Sequence, residues 1–584
     1  MAEDKNKKIH ARELLIGVFF SLFLSVIFGR AVHLHVISSN KLATKAKSQY
    51  TSYKISSGKR GTIYDINRNE MAVSIDTTSI GAFPKKITDK KTVAKKLAKA
   101  LGMSSRKIEK KLNTSRSFVW IKRKTPPKIV SSIRDLKIKG LEYISEHSRA
   151  YPNKSLAAQL IGFTGTDENG LEGLEYLYDK ELSGSSNEVV IMKDALGRGF
   201  NVAGSHMNGF KGNDLTLTID KRIQFIAETA VKETTEKYDA NFGTAVVMNP
   251  NTGAILAIAQ YPEFNPNAYN NYGPKIWKNR AVTDSFEPGS TLKIFPVAAA
   301  IESGMSTPSS IFFCENGSYQ IGKNKIKDTH PKEWLSIQQI IKFSSNIGMV
   351  KVSESIGKEA LYKTLKDFGF GQKTDIDCPG ETKGILSHYS RWSEIDTGAI
   401  SFGQGVSVSA VQLLSAMSVI ANGGVYVKPH IVSKITSPSG EIIREFNKPK
   451  EKRIISKTTT DKLKIILATA VTEGGTGVNA GLKKYTVCGK TGTAQKSSKK
   501  GGYSKDKYVA SFVGFAPQKN PEVAVLVVLD EPTINHYGGT VAAPAFKAIV
   551  HNTLNYLNVE PEVHDNSGNI LVAQRSKRKK IESF

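Results

Sequence analysis

Cysteine is scarce in this chain of 584 residues: Cys314, Cys378 and Cys488 are the only three, and no two of them are spaced as C-x-x-C. Three distant cysteines can form at most one intramolecular disulfide, which excludes a disulfide-built scaffold and a cysteine-ligated zinc module. The count fits a reducing compartment, and it equally fits an exported protein that does not depend on disulfides.

Acidic residues are also few. The chain has 53 Asp and Glu against 82 Lys and Arg, which gives a net charge of +29. Such a surface favours anionic partners, namely nucleic acid, phospholipid headgroups or an acidic cell-wall polymer. The hydrophobic content of 40% and the charged content of 23% are ordinary for a globular protein. At this length we expect two or three domains.

Long apolar runs are absent, with one exception near the N-terminus. Residues 14–28 (LLIGVFFSLFLSVIF) are almost wholly apolar, and the stretch 14–37 is long enough to span a bilayer if Arg30 reaches the far interface. A cleaved signal peptide is the alternative, but residues 29–31 (GRA) form a poor cleavage site. We therefore predict a single-pass anchor over 14–37, with basic residues 1–13 as a cytoplasmic tail and the remainder outside.

No catalytic grouping is evident over residues 38–212, which we interpret as a mixed α/β pedestal with a spacer or docking role. Turn residues around alternating apolar positions predict strands near 60–70. Residues 91–112 have helical spacing, with lysines outward and a break at Gly102. Nucleic-acid binding by these basic helices is disfavoured, because they follow the predicted anchor and a solvated basic face explains them.

Residues 213–558 show a clearer pattern. We predict strands near 244–248, 254–259, 485–493, 509–515 and 523–529, a helix capped by Asp220, and a helix over 542–557. Helices between and around five strands imply an α+β domain with an antiparallel sheet and helical layers on it. The final stretch, 559–584, is predicted to be a basic disordered tail.

Three short motifs carry the chemistry. Ser290 and Lys293 form S-x-x-K at a predicted helix start, so the lysine could sit beside the hydroxyl and take its proton. Ser344 and Asn346 form S-x-N, and residues 490–493 read K-T-G-T on a predicted strand. Taken singly, these are a helix cap with a solvated lysine, a loop cap and an edge-strand charge. Their order within one predicted domain argues against coincidence.

S-x-x-K, S-x-N and K-T-G in this order resemble the active site of penicillin-binding proteins and serine β-lactamases. Residues 60–65 (RGTIYD) resemble a motif of class B penicillin-binding proteins, with Ile66 in place of the usual Arg. Residues 170–175 (GLEGLE), 402–405 (FGQG) and 542–546 (AAPAF) also look like family blocks. The resemblance runs from the anchor to about residue 557.

Residues 287–290 (EPGS) and 344–346 (SSN) look more like the division-specific (septal) branch of class B than the elongation branch. The resemblance implies a peptidoglycan D,D-transpeptidase that acts on stem peptides ending in D-Ala-D-Ala and is acylated by β-lactams. It implies no metal and no organic cofactor.

For the chemical steps, the resemblance implies that Ser290 is the nucleophile. Lys293, kept neutral by burial and by cationic Lys490, would be its base. Ser344 would relay a proton between Lys490 and the leaving amine, while Asn346 would position Lys293 and a substrate amide.

For substrate binding, the resemblance implies an oxyanion hole made by the backbone N–H groups of Ser290 and Thr493. Lys490, Thr491 and Thr493 would bind the terminal carboxylate as the peptide pairs with the strand edge. Gly492 would let that peptide approach closely.

The resemblance further implies a polytopic glycosyltransferase of the shape-elongation-division-sporulation type and other division proteins as partners, and a location in the cytoplasmic membrane at the septum. Alternatives remain open. They are an elongation-type transpeptidase, a β-lactamase or β-lactam-acylated sensor, and a non-catalytic division scaffold.

Overall fold

The structure is a computed structural model that describes residues 2–56, 58–184, 187–193, 199–201, 211–446, 451–498 and 501–562. Most of the predicted basic tail, 563–584, lies outside the described residues, as does the first residue of the predicted cytoplasmic tail.

The strands of the described residues are, in chain order, β1 Thr51–Ser56, β2 Ile63–Tyr64, β3 Glu70–Ala82, β4 Val119–Thr125, β5 Leu141–Ala150, β6 Asn187–Lys193, β7 Gly199–Asn201, β8 Asp214–Leu217, β9 Phe242–Met248, β10 Ile255–Tyr261, β11 Ile311–Phe313, β12 Ser318–Ile321, β13 Asn324–Lys327, β14 Trp334–Ser336, β15 Val425–Val427, β16 Val432–Thr436, β17 Ile442–Glu445, β18 Glu451–Arg453, β19 Cys488–Ser497, β20 Tyr503–Ala516 and β21 Val523–Asp530.

The α-helices are α1 Ala2–Val32, α2 Ser39–Tyr50, α3 Lys90–Leu101, α4 Ser105–Leu112, α5 Pro127–Arg134, α6 Ala158–Ile161, α7 Gly173–Leu177, α8 Asp179–Leu182, α9 Lys221–Lys237, α10 Pro274–Trp277, α11 Arg280–Thr283, α12 Ile294–Glu302, α13 Ile337–Phe343, α14 Asn346–Ile356, α15 Lys358–Asp367, α16 Glu394–Ser401, α17 Ala410–Ala421, α18 Lys457–Thr469 and α19 Gly538–Tyr556. Short 3₁₀ turns include Gly289–Thr291, and a π-helical turn follows α1 at His33–Ile37.

The chain divides into two compact units. The first comprises residues up to Lys59 together with Gly184–Lys211, and the second comprises Arg60–Ser183 with the rest of the chain from Gly212. In the first unit, Glu13–Ile37 is a helix whose most apolar 18 residues have a mean hydropathy of 2.2, and it is long and apolar enough to cross a membrane. Strands β1, β6 and β7 of the same unit form a three-stranded antiparallel sheet.

In the second unit, the predicted five-stranded antiparallel sheet is present, with the strand order β10-β9-β21-β20-β19. Alternate residues of a strand point to opposite faces, and here both faces are covered. Val246 of β9 joins the core that includes α12 and α17, whereas Val247 joins the core that includes α9 and α19. Strand β19, which carries the K-T-G-T motif, is therefore an edge strand of a fully packed sheet.

A second sheet, of mixed direction, runs in the order β17-β16-β8-β2-β3-β4, and β5 pairs with β3. Leu215 of β8 lies between Ile63, in a parallel pair, and Ile435, in an antiparallel pair. Strand β8 thus joins the predicted pedestal to the predicted catalytic domain. The boundaries 38–212 and 213–558 remain predictions.

Two of the family-like blocks, 60–65 and 170–175, meet in a buried ion cluster. Arg60 donates from Nε to Glu175 Oε2 (2.6 Å) and from Nη1 to Asp179 Oδ1 (2.6 Å). Arg149 donates from Nε to the other oxygen of Glu175 (2.6 Å) and from Nη1 to Gly61 O (2.6 Å). Because Glu175 is fully buried, its two guanidinium partners are what make its charge tolerable.

Candidate active site

Ser290 lies in the 3₁₀ turn Gly289–Thr291, directly ahead of α12. Gly289 has φ +53° and donates its N–H to Gly403 O (3.1 Å). A Cβ atom on Gly403 would lie 2.1 Å from Gly289 O, so only glycine fits there. The block 402–405 therefore holds the turn that presents Ser290. Pro296 falls in the first turn of α12, where a missing N–H costs nothing.

Lys293 is completely buried, one turn after Ser290. Its Nζ atom lies 2.6 Å from Ser344 O, 3.2 Å from Ser344 Oγ and 2.8 Å from Asn346 Oδ1. Burial, and next the charge of Lys490, hold the pKa of Lys293 well below its usual value, against an opposing effect of Asp328. The geometry therefore favours a neutral amine at this position.

Ser344 and Asn346 lie on the connection between α13 and α14. Ser344 ends α13 with φ +62°, a left-handed conformation that is costly for a residue with a side chain. This conformation turns both its carbonyl and its hydroxyl toward Lys293. Asn346 begins α14 and donates from Nδ2 to Lys327 O (3.0 Å), which orients its oxygen toward the lysine.

Lys490 of β19 is also completely buried. Its Nζ atom lies 3.1 Å from Ser344 Oγ, 3.2 Å from Thr491 Oγ1 and 3.5 Å from Thr476 Oγ1. Burial lowers the pKa of Lys490 to about 7. The Ser344 hydroxyl thus bridges the two buried amines.

The other residues of the strand motif face different neighbours. Thr491 donates to Thr476 Oγ1 (3.0 Å), and Thr493 Oγ1 accepts from Gly538 N (3.1 Å). A Cβ atom on Gly492 would lie 2.3 Å from Ser511 Oγ and 2.8 Å from Pro288 O. Gly492 is therefore needed so that β19 can pack against the Ser290 turn. Its predicted contribution to the approach of a substrate remains a prediction.

The structure brings together Lys293, Ser344, Asn346 and Lys490, with Ser290 one turn from Lys293. Among the described residues, no hydrogen bond joins Lys293 to the Ser290 hydroxyl, in contrast to the simplest form of the prediction. A neutral amine has two N–H groups and one lone pair. Two donations, to Ser344 O and Asn346 Oδ1, leave the lone pair to accept from a hydroxyl.

The comparisons with known proteins agree with this geometry. The family model of the penicillin-binding protein transpeptidase domain matches residues 243–551, and that of the penicillin-binding protein dimerisation domain matches residues 55–217. The chain belongs to the class B penicillin-binding proteins. It is 32% identical to peptidoglycan D,D-transpeptidase FtsI of Escherichia coli K12 over 558 residues, covering 94% of this chain and 92% of that one.

Other relatives of this penicillin-binding protein are about as similar. The probable peptidoglycan D,D-transpeptidase PenA of Neisseria gonorrhoeae is 32% identical, covering 93% of this chain and 92% of its own length. Stage V sporulation protein D of Bacillus subtilis is 33% identical, covering 95% and 87%. The crystal structure of penicillin-binding protein 3 of Mycobacterium tuberculosis in complex with aztreonam superposes with a TM-score of 0.69 at 27% identity, covering 87% and 98%.

Asp328 is a residue of the site that the sequence analysis missed. Its Oδ1 atom accepts from Asn346 N (2.5 Å) and Ile347 N (3.1 Å), and its Oδ2 atom accepts from Ser345 Oγ (2.5 Å). It therefore holds the start of α14 and with it the S-x-N motif. Asp328 reaches Asn346 only because it follows the β12–β13 hairpin, so no short-range sequence pattern predicts the contact.

Thr476 was missed as well. Its hydroxyl contacts both Lys490 and Thr491, from a loop that follows α18. The residues around it, 474–477 (GGTG), are a glycine-rich signal in the sequence. A tight loop shortly before the K-T-G-T strand could have been read as part of the site.

Proposed function

We propose that this chain is a peptidoglycan D,D-transpeptidase that cross-links stem peptides ending in D-Ala-D-Ala through an acyl-Ser290 intermediate during septal wall synthesis. One observation carries the proposal: Ser344 Oγ lies 3.2 Å from Lys293 Nζ and 3.1 Å from Lys490 Nζ, and Lys293 follows Ser290 by one turn. This is a proton path between two buried amines of lowered pKa. Relatives named as peptidoglycan D,D-transpeptidases support the class of reaction.

In the acylation step, neutral Lys293 takes the proton of the Ser290 hydroxyl, and Oγ attacks the carbonyl carbon between the two D-alanines. An O–C ester bond forms as the C–N bond breaks. The terminal D-alanine leaves as an amine after receiving a proton from Lys490 through the hydroxyl of Ser344, and Lys293 keeps the proton of Ser290 until the second step. Asn346 keeps Lys293 oriented and has a second N–H for a substrate amide.

The terminal carboxylate binds to Lys490, Thr491 and Thr493. With a pKa of about 7, Lys490 is only partly protonated in the free enzyme, and an arriving carboxylate favours its cationic form. The cation in turn keeps Lys293 neutral. Backbone N–H groups of Ser290 and Thr493 stabilise the oxyanion, and losing one such donor typically costs about 100- to 1000-fold in rate.

In the second step, the amine of a neighbouring stem peptide attacks the ester carbonyl. A new amide bond forms and the O–C bond to Ser290 breaks. The attacking amine gives up its proton through the Ser344 hydroxyl to Lys490, and Ser290 recovers its proton from Lys293. A β-lactam follows the first step only, because its leaving amine stays tethered to the acyl group. The structural relative from Mycobacterium tuberculosis is described in complex with aztreonam and with ampicillin.

The direct test is labelling of the full chain with a fluorescent penicillin. We expect stoichiometric labelling of the wild type and none of Ser290→Ala. Ser285→Ala, an exposed serine five positions earlier, is the matched control and should label normally. Labelling of Ser290→Ala at the wild-type rate would disprove the assignment of the nucleophile.

Two rival functions share the same fold. A β-lactamase or sensor would be revealed by the lifetime of the penicilloyl adduct, and hydrolysis within minutes would overturn the transpeptidase assignment. A non-catalytic scaffold would be revealed by complementation: growth of a depletion strain on Ser290→Ala would exclude an essential acyl transfer.

The cellular setting is part of the proposal. Residues 14–37 anchor the chain once in the cytoplasmic membrane, with the N-terminus inside and the catalytic domain 213–558 outside. The septal role rests on the EPGS and SSN motifs, and the elongation branch is the second candidate. A fluorescent fusion spread along the side walls and absent from midcell would favour elongation. We expect the polytopic glycosyltransferase partner to co-purify with the full chain in mild detergent.

A further inference from the structure

More than half of the net charge of this protein lies in one small part of the pedestal. Residues 83–139, which we name the basic head, contain nineteen Lys and Arg and three Asp and Glu. The head therefore carries +16 of the total of +29. A tenth of the chain accounts for most of its excess positive charge.

The fold places these cations on the surface. Helices α3, α4 and α5 pack on β3 and β4 around a small core that includes Leu97, Ile108, Ile121 and Ile133. Each helix turns its apolar side to this core, which leaves the basic side in solvent. Fifteen basic residues are exposed: Lys85, Lys86, Lys91, Lys95, Lys96, Lys99, Arg106, Lys107, Lys110, Lys111, Arg116, Lys128, Arg134, Lys137 and Lys139.

These exposed cations lack carboxylate partners at ion-pair distance. Within the described residues, no ion pair joins any of the fifteen to an Asp or Glu, whereas the half-buried Arg123 and Lys124 of the same head pair with Glu146 and Glu168. Asp89 is used as the N-cap of α3, where it accepts from Thr92 N (3.0 Å). Self-repulsion of unpaired charge is relieved when a polyanion binds.

We propose that the basic head docks on anionic phospholipid headgroups of the same membrane that holds Glu13–Ile37. Residues 38–59 connect this helix to the second unit, so the head and the lipid that holds the helix belong to one tethered assembly. Twelve of the fifteen cations are lysines, which bind phosphate as point charges.

The contact is peripheral. The structure describes every residue of the head, and Leu136 is its one exposed large hydrophobic side chain, with an exposure of 37%. No aromatic or aliphatic wedge is available to enter the hydrocarbon layer. The head therefore binds by charge alone, and salt weakens the contact.

The test uses the full chain reconstituted in nanodiscs. A donor fluorophore is attached to Asn113→Cys, at the exposed end of α4, because the three native cysteines are buried. Acceptor-labelled lipid reports the approach of the head to the bilayer. We expect energy transfer to rise when phosphatidylglycerol replaces part of the phosphatidylcholine, and to fall back in about 0.5 M NaCl, where screening lengths are only a few ångströms.

A matched pair of variants separates the head from general charge. The head variant combines Lys95→Gln, Lys96→Gln, Lys107→Gln and Lys110→Gln. The control removes four exposed lysines of the catalytic domain, through Lys363→Gln, Lys483→Gln, Lys484→Gln and Lys547→Gln. Each lysine near an anionic surface contributes roughly fivefold to binding, so the head variant should lose the response to phosphatidylglycerol and the control should keep it.

Penicillin labelling of Ser290 checks that both variants are folded. Because labelling does not involve the head, it tests the proposed function separately from the docking proposal, on which the energy transfer reports. Equal responses of the two variants to phosphatidylglycerol would overturn the proposal. Energy transfer that does not change with lipid composition would also overturn it, if inorganic polyphosphate added to phosphatidylcholine nanodiscs slows the rotation of the labelled head. That outcome would assign the head to a soluble or wall-bound polyanion.

Discussion

Two clusters of buried cations among the described residues are arranged in opposite ways. In the pedestal, Arg60 and Arg149 share the carboxylate of Glu175, and Arg60 also binds Asp179. In the catalytic domain, Lys293 and Lys490 are equally inaccessible, but their nearest partners are hydroxyl, amide and carbonyl groups.

The difference decides what each group can do. An arginine keeps its charge in any protein environment, so its burial requires a carboxylate and the result is a rigid ion cluster. A lysine buried without a carboxylate loses affinity for its proton, so its pKa falls into the range where it can act as a base. In the pedestal the buried cations are paired with carboxylates and form a rigid cluster. In the candidate active site the buried lysines have no carboxylate partner, which makes them reactive.

The largest effect is expected when a lysine of the site is made to resemble the pedestal cations. Lys293→Arg replaces a neutral amine with a permanent positive charge that cannot deprotonate, so the base proposed for Ser290 is lost. We expect acylation by a fluorescent penicillin to slow by about 100- to 10,000-fold. Stopped-flow labelling measures the rate, and Lys505→Arg, at an exposed lysine, should behave as the wild type. A rate within tenfold of the wild type would remove Lys293 from the role of base.

The reverse change weakens the pedestal. Glu175→Gln leaves Arg60 and Arg149 buried with one carboxylate fewer, and breaking such a cluster costs about 3 kcal/mol or more. We expect a thermal midpoint lower by roughly 5–10 °C. Glu142→Gln, an exposed glutamate of the same region, is the control and should change the midpoint little. The penicillin labelling rate of folded protein should stay normal, and a slower rate would show that the two groups are coupled.

Lys490 offers a test by pH. Its pKa is about 7 in the fold, below the value of about 10.4 in an unfolded chain, so it costs stability most below pH 7. The cost shrinks as the pH rises from 7 and vanishes near 10.4. Lys490→Met should therefore be more heat-stable than the wild type near pH 7, with a difference in thermal midpoint that declines toward pH 10. A difference that grows with pH would contradict the lowered pKa.

The smallest effect is expected at Thr476. Thr476→Val removes the hydroxyl that contacts Lys490 and Thr491 but keeps the side-chain shape. Losing one such hydrogen bond costs about 1 kcal/mol, which predicts acylation slower by roughly fivefold. Thr476→Ser should restore the rate. If Val and Ser behave alike, the hydroxyl has no part in positioning Lys490.

Much of the catalytic domain could be predicted from local patterns. The hairpin β9–β10, the helix capped by Asp220 and the break at Gly102 all have short-range signals, and each is present. The five-stranded sheet could be predicted because its strands show alternating or continuous apolar residues in the sequence. Strand β19 begins at Cys488 and runs to Ser497, later than the predicted 485–493, because its pairing with β20 sets its ends.

Long-range contacts were beyond the reach of the sequence. Asp328 touches the S-x-N motif only because a hairpin folds back on α14. Likewise, the pairing of β2 with β8 joins Ile63 to Leu215 across the whole pedestal. Neither contact leaves a pattern at fixed spacing, since both depend on how separate elements pack.

Strand β8 has a mechanical consequence. It is bonded through its backbone to β2 on one side and to β16 on the other, so a force on residues 60–82 reaches the catalytic domain through a continuous ladder of peptide groups. A hinge between these parts would have to shear that ladder. We expect residues 60–82 and the catalytic domain to turn together as one rigid body, so that a force on the former reorients Ser290 without deforming the site around it.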